Sequence, residues 1–139
     1  MNLLEQLKRE EGEVLYAYQD SLGWLTIGVG ICIDKRRGCG LRQEESDFVI
    51  NNRLQLMQTE LAQDYPWFQR LNEPRRAALV QMRHQLGRDG LNAFQKMLGA
   101  IRDERWAEAE REAIDSDWAK QTPERARRMA RQLETGEWQ

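Results

Sequence analysis

Glu11, Asp20 and Thr26 are the residue types that hydrolysis of a glycosidic bond requires. That reaction needs a proton donor for the leaving oxygen and a second carboxylate, either to activate water or to attack the sugar. The two acids must differ in surroundings, so that one keeps its proton while the other is ionised. On a helical wheel at roughly 100° per residue, Leu3, Leu4, Leu7 and Glu11 share one arc, and partial loss of water there favours the protonated carboxyl. Asp20 opens a turn, where water and backbone N–H groups favour the ionised form. Thr26 follows in the returning strand, where its hydroxyl can hold a water or a sugar oxygen. Each residue alone has an ordinary reading: a surface acid, a turn former, a β-branched strand residue. Their combination points to chemistry.

The elements that must carry them are legible nearby. Residues 3–11 have helical spacing, and Gly12 suits a left-handed terminator. Val14 to Tyr18 alternates as a strand, Asp20-Ser21-Leu22-Gly23 is a turn, and Trp24 to Val29 is the returning strand, weakened by Gly28. Ile31 to Ile33 extends the sheet, with Lys35-Arg36-Arg37-Gly38 as its next turn. A long helix is predicted over Arg42 to Asp64, with Phe48, Ile50, Leu54, Leu56, Met57 and Leu61 as its apolar side and Pro66 as its stop. Pro74 opens the next helix, and Gly87 and Gly90 bracket a turn. Leu91 to Leu98 and Glu104 to Ile114 read as helix, and Thr122-Pro123 as N-cap and first residue of a final helix ending near Gly136. The plan is α+β: one domain over residues 1–139, with a small N-terminal β-sheet lobe at about 1–41, a larger helical lobe at about 42–139, and a cleft between them as the natural ligand site.

Composition narrows the function classes. The chain has 139 residues, enough for one domain with a core. Mean hydropathy is −0.81, and no apolar run approaches the roughly 20 residues that span a bilayer, so stable membrane insertion is not expected. Charged residues interrupt the N-terminus by position 5, so no secretory leader is read and the mature chain is taken to start at Met1, in the cytoplasm. A net charge of −2 gives no general electrostatic case for nucleic-acid binding. Cys32 and Cys39 flank a hairpin tip either as free thiols or as a cross-strand disulfide. Two cysteines and one histidine do not make a four-ligand zinc site without carboxylates, and two carboxylates with water suffice for the hydrolysis, so neither metal nor cofactor is expected.

The stretch Glu11-Gly12, Leu15-Tyr16-Ala17-Tyr18-Gln19-Asp20-Ser21-Leu22-Gly23-Trp24-Leu25-Thr26-Ile27-Gly28-Val29-Gly30 resembles the active-site signature of the phage T4-type lysozymes, the endolysins of glycoside hydrolase family 24. Further matches follow in order: Pro74-Arg75-Arg76-Ala77-Ala78-Leu79 with Gln85-Leu86-Gly87, then Arg105-Trp106, then Trp118, Gln121-Thr122-Pro123 and Arg125-Ala126. The resemblance covers most of the chain, with a shortened segment around residues 31–41. It implies a lysozyme-like fold and a muramidase that cleaves the β-1,4 bond between N-acetylmuramic acid and N-acetylglucosamine in peptidoglycan glycan strands. Carried over, Glu11 is the general acid, Asp20 the second carboxylate and Thr26 a positioner of water. Gly30, His84, Gln85 and Thr122 fall at substrate-binding positions. Arg125 falls where the family has an arginine that pairs with the catalytic glutamate, which opposes the effect of the leucine arc. The family is regarded as inverting; a carboxyl separation of roughly 6.5–9.5 Å agrees with that, and roughly 5 Å does not. The resemblance also implies a monomer made in the host cytoplasm, which reaches the wall in the periplasm only with a separate membrane-permeabilising protein.

The sequence departs from the family at several places. Ile31 stands where the family usually has a histidine that makes a stabilising ion pair. The single histidine, His84, stands where an apolar or aromatic residue lines the cleft, and either contacts sugar or packs. Met97 and Glu112 replace small polar sugar contacts. Two other readings stand beside the enzyme: a lysozyme-fold protein that binds glycan without cutting it, and a helical nucleic-acid module suggested by Arg125, Arg127, Arg128 and Arg131. The acids Glu108, Glu110, Glu112, Asp115 and Asp117 just upstream favour a solvated helix face over that module.

Overall fold

A computed structural model describes residues 2–139; Met1, read as the start of the mature chain, lies outside them. Among the described residues the order is α1 (Leu3–Glu11), β1 (Val14–Gln19), β2 (Leu25–Gly28), β3 (Ile31–Cys32), α2 (Gln43–Asp64), α3 (Glu73–Asn92), α4 (Gln95–Arg102), α5 (Trp106–Ile114), α6 (Asp117–Gln121) and α7 (Pro123–Thr135). Short 3₁₀ turns cover Lys35–Arg37 and Pro66–Arg70. The class is α+β and lysozyme-like, as expected. The chain divides into two compact units, Met1–Val49 and Ile50–Gln139, and the dividing point falls inside α2.

In the first unit, α1 is opened by a reciprocal cap. The Asn2 side chain accepts from Glu5 N–H at 3.0 Å, and the Glu5 carboxylate accepts from Asn2 N–H at 2.9 Å. Gly12 ends the helix with a positive φ of 74° but a ψ of 175°, so the chain leaves extended instead of left-handed. The three strands form an antiparallel sheet in the order β1-β2-β3. Tyr18 faces Thr26 and Gln19 faces Leu25, while the register shifts between Val14 and Tyr18. The Asp20–Gly23 turn closes with Gly23 N–H donating to Asp20 C=O at 2.9 Å. Cys32 and Cys39 are free thiols. Their mutual hydrogen bond, with burial, pushes the Cys39 thiol up from its ordinary range.

Among its described residues, the first unit buries only Thr26 and Asp34, both polar; every buried hydrophobic side chain lies at Leu61 or beyond. The leucine arc of α1 is therefore not the dry surface expected for Glu11. Leu3, Leu4 and Leu7 are exposed, Leu3 by 80%, and α1 contains no buried residue. A nine-residue helix cannot dehydrate a carboxyl with leucines that are themselves in water.

What holds the first unit locally is Asp34. Its carboxylate is 2% exposed and accepts from Leu25 N–H at 2.9 Å, from Arg36 N–H at 2.9 Å, and from the Arg36 guanidinium at 2.9 and 2.6 Å. Burial of a charged group is tolerated only with this degree of pairing. The Arg36 guanidinium and the Leu25 amide hold the Asp34 carboxyl well below the usual carboxylate range.

The second unit is a helical core. On α2 only Leu61 is buried, with Leu54 and Met57 packed against the core, while Phe48 and Leu56 point to solvent. The expected apolar side thus narrows to the i, i+3, i+7 row that one helix face can present. Pro74 sits in the first turn of α3, whose N-cap is Asn72. At Gly87 (φ 75°, ψ 178°) the backbone leaves the helical region, so α3 is two helices joined across a kink at the start of the expected Gly87–Gly90 turn. Helix breaks again at Ala93–Phe94, inside the stretch expected to run from Leu91 to Leu98. The α3 start is tied to the α7 end: Arg75 donates to Leu133 C=O and Glu134 C=O at 2.8 Å each, and Gln132 donates to Pro74 C=O at 2.7 Å. Buried Arg83 pairs with Glu60 and Asp64, and Asp64 is shared with Arg88.

The Asp34 network sets a pH dependence with a definite sign. A carboxyl lowered in the folded state contributes stability above the unfolded-state value of about 3.9 and loses it as pH falls through the folded value. The stability difference between wild type and Asp34→Asn, from urea midpoints, should be flat above about pH 5 and narrow below about pH 4. A difference that narrows on going alkaline would contradict this.

Candidate active site

The hairpin that carries Asp20 and Thr26 is built around the peptide groups of Trp24. Asp20 N–H donates to Trp24 C=O at 2.9 Å. The Asp20 Oδ1 atom accepts from Leu22 N–H and from Trp24 N–H, each at 2.9 Å. Thr26 Oγ1 donates to the same Trp24 C=O at 3.1 Å. An Asx turn is what places Asp in this position, because its short carboxylate reaches the amide two residues on. Gly23 takes the positive φ of 79° that closes the turn.

This geometry fixes what each group has left to offer. Asp20 Oδ1 is occupied by two amides, and Oδ2 has no hydrogen-bond partner among the described residues. Thr26 is buried at 4% exposure and spends its only hydrogen on a carbonyl, so its oxygen can only accept. A water between such groups would donate to both and keep a lone pair free. Glu11, at the exposed end of α1, lies over Gly30: a Cβ built on Gly30 would come within 3.0 Å of Glu11 Oε2 and 3.4 Å of its Cδ. Gly30 also has a positive φ of 65°. Ile31 pairs with Ile27 and is exposed.

The second unit gathers a different set. Gln85 Oε1 accepts from the Trp118 indole N–H at 2.9 Å, and Thr122 Oγ1 donates to Trp118 C=O at 3.1 Å. Thr122 therefore does not cap α7 with its side chain as expected; Pro123 at the first helical position starts that helix without it. Trp118 is buried and meets Phe94 edge-on at 6.0 Å. Both line a cavity of about 630 Å³ shared with Met97, Glu112 and Ser116. His84 is exposed on α3 and Arg125 half-buried on α7.

Sequence reasoning singled out Gln85 and Thr122 but not the Trp118 that joins them, although Trp118 stands in the matched stretch. It also passed over Asp34 and Arg36. Their signal is an Asp two residues before an arginine, ahead of a glycine, the pattern of a side chain that caps a short turn. Among the described residues no three His, Cys, Asp or Glu side chains cluster as a metal site would need, and no helix is long and apolar enough to cross a membrane.

Gly30 offers a direct check on the Glu11 placement. Gly30→Ala should cost about 1–2 kcal/mol from the positive φ and displace the Glu11 carboxylate. Denaturation and the carboxyl carbon resonance of Glu11 measure the two effects. An unmoved resonance would mean that Glu11 does not rest on Gly30.

The family model described as phage lysozyme matches residues 8–133. The chain is 26% identical to the "Probable T4-type lysozyme 1" of Dictyostelium discoideum, with 97% of this chain and 95% of that protein covered. It is 29% identical to the "Probable T4-type lysozyme 2" of the same organism, with the same shares covered. It is 30% identical to the pre-baseplate central spike protein Gp5 of Enterobacteria phage T4, where 98% of this chain matches 28% of that protein. With the family match spanning nearly the whole chain, this protein belongs to the phage lysozyme family, the glycosidases that act on peptidoglycan.

Proposed function

We propose that the chain is an endolysin-type muramidase that hydrolyses the β-1,4 bond between N-acetylmuramic acid and N-acetylglucosamine. The observation that carries this reading is the double attachment of Asp20 and Thr26 to Trp24. Water donates one hydrogen to the free Asp20 oxygen and one to Thr26 Oγ1, and its lone pair is left to attack the anomeric carbon. Asp20 takes the proton as the bond forms. Glu11, on Gly30, gives its proton to the departing oxygen. The route is a single displacement with inversion, and the required separation of the two acids leaves room for that water.

The remaining roles rest on the family resemblance. Gln85 and Thr122 contact sugar beside Trp118, with His84 as a further contact at the exposed face of α3. Met97 and Glu112 change the character of the cavity where small polar residues are usual. Arg125 supports the acid. The chain acts as a monomer, without metal or cofactor, on the wall of its own host. It reaches that wall from the cytoplasm once another protein has permeabilised the membrane, and lyses the cell.

The test is clearing of outer-membrane-permeabilised Gram-negative cells. Wild type should clear them, and Glu11→Gln should lose at least about 100-fold in rate with its circular dichroism unchanged. An active Glu11→Gln protein would remove Glu11 from the acid role. A folded but inactive wild type that still pulls down peptidoglycan would favour glycan binding without cleavage.

A further inference from the structure

Asp34 and Arg36 lie outside the reacting set, yet they hold the backbone on which that set is mounted. Three consecutive residues of the hairpin are involved. Arg36 Nη2 donates to Gly23 C=O at 3.1 Å. The Arg36 guanidinium lies 4.9 Å from the centre of the Trp24 ring, and Arg37 lies 5.5 Å from it. Asp34 Oδ2 accepts from Leu25 N–H at 2.9 Å. Trp24, between the two gripped residues, is the one whose N–H and C=O bind Asp20 and Thr26. The grip is itself fixed, because the Asp34 carboxylate accepts two guanidinium hydrogens in a planar fork that a lysine could not supply.

From this we infer that Asp34 and Arg36 are positioning residues for the reaction: an ion pair that sets the angle at which the Trp24 peptide presents Asp20 and Thr26 to water. The inference rests on the reading of Asp20 and Thr26 as reacting residues. Displacements on the order of 1 Å in such groups cost about 100-fold in rate while leaving substrate affinity largely alone. Arg36 is the informative residue to change, since its side chain is 65% exposed while that of Asp34 is buried.

The experiment compares wild type, Arg36→Ala, Arg36→Lys and Asp20→Ala on a soluble peptidoglycan oligosaccharide, with amide hydrogen exchange at Leu22 and Trp24. Arg36→Ala should keep its circular dichroism, lose about ten-fold or more in kcat with KM within about two-fold, and exchange both amides faster. Arg36→Lys should recover less than half of the loss, and added guanidinium should recover part of it in Arg36→Ala. A wild-type kcat in folded Arg36→Ala would overturn the proposal, and so would a fall in kcat with unchanged exchange. If Arg36→Ala does not fold, Arg36→Lys with the same two readouts decides. Wild-type activity in Asp20→Ala would instead defeat the reading of the reacting residues. An inactive Asp20→Ala beside a fully active Arg36→Ala would leave that reading standing and remove only the positioning role.

Discussion

A buried carboxylate organises the first unit of this protein. Asp34 is nearly inaccessible and accepts four hydrogen bonds, two from the backbone amides of Leu25 and Arg36 and two from the Arg36 guanidinium. With no buried hydrophobic side chain among its described residues, that unit has little apolar packing to set its geometry. Hydrogen bonds set it instead, and a fully satisfied polar cluster is specific about angle in a way that apolar contact is not. The same cluster would be costly if one partner were removed, because the remaining charge would stay buried and unpaired. The consequence is local: Trp24, gripped on either side, holds the Asp20 carboxylate and the Thr26 hydroxyl through its own N–H and C=O.

The second unit works by the opposite means. Leu61, Leu79, Met82, Leu91, Met97, Ile101 and Leu133 are essentially inaccessible, and Arg83 is the charged exception, paired with Glu60 and Asp64. The kink at Gly87 and the short helix α6, capped by Ser116, shape the wall on which Trp118 sits. Gln85 and Thr122 meet at Trp118 through its indole N–H and its carbonyl, so two chain segments far apart in sequence are joined at one buried aromatic residue. The acidic Glu112, Asp115 and Asp117 around the adjacent cavity give that wall a negative character, partly offset by Lys96.

Much of this was legible in the sequence, for identifiable reasons. The helix over residues 3–11, the Asp20–Gly23 turn and the stop at Gly136 follow from local chemistry: helical spacing closed by a glycine, a turn-forming Asp and a left-handed glycine. What failed depended on the surroundings. Leu3, Leu4 and Leu7 have helical spacing, but spacing does not say whether anything covers them, and they are exposed. Thr122 before Pro123 has the sequence of a cap, but the Trp118 carbonyl one turn back captured its hydroxyl. Gly87 does leave the helical region, as its composition suggests, but at a single residue that joins two helices across a kink. In the candidate site, Glu11, Asp20 and Thr26 stood out by type and spacing, while Asp34 and Arg36 hid in a loop because their meaning lies in contacts to Gly23 and Leu25.

In the proposed mechanism Asp20 and Thr26 hold a water that attacks in a single displacement. The configuration of the first-formed product tests this most directly, by proton NMR of the new reducing end before mutarotation. Direct attack by that water on a β-linked substrate predicts an α-configured reducing end. A β-configured product would mean a double displacement and would contradict the role given to the Asp20–Thr26 pair.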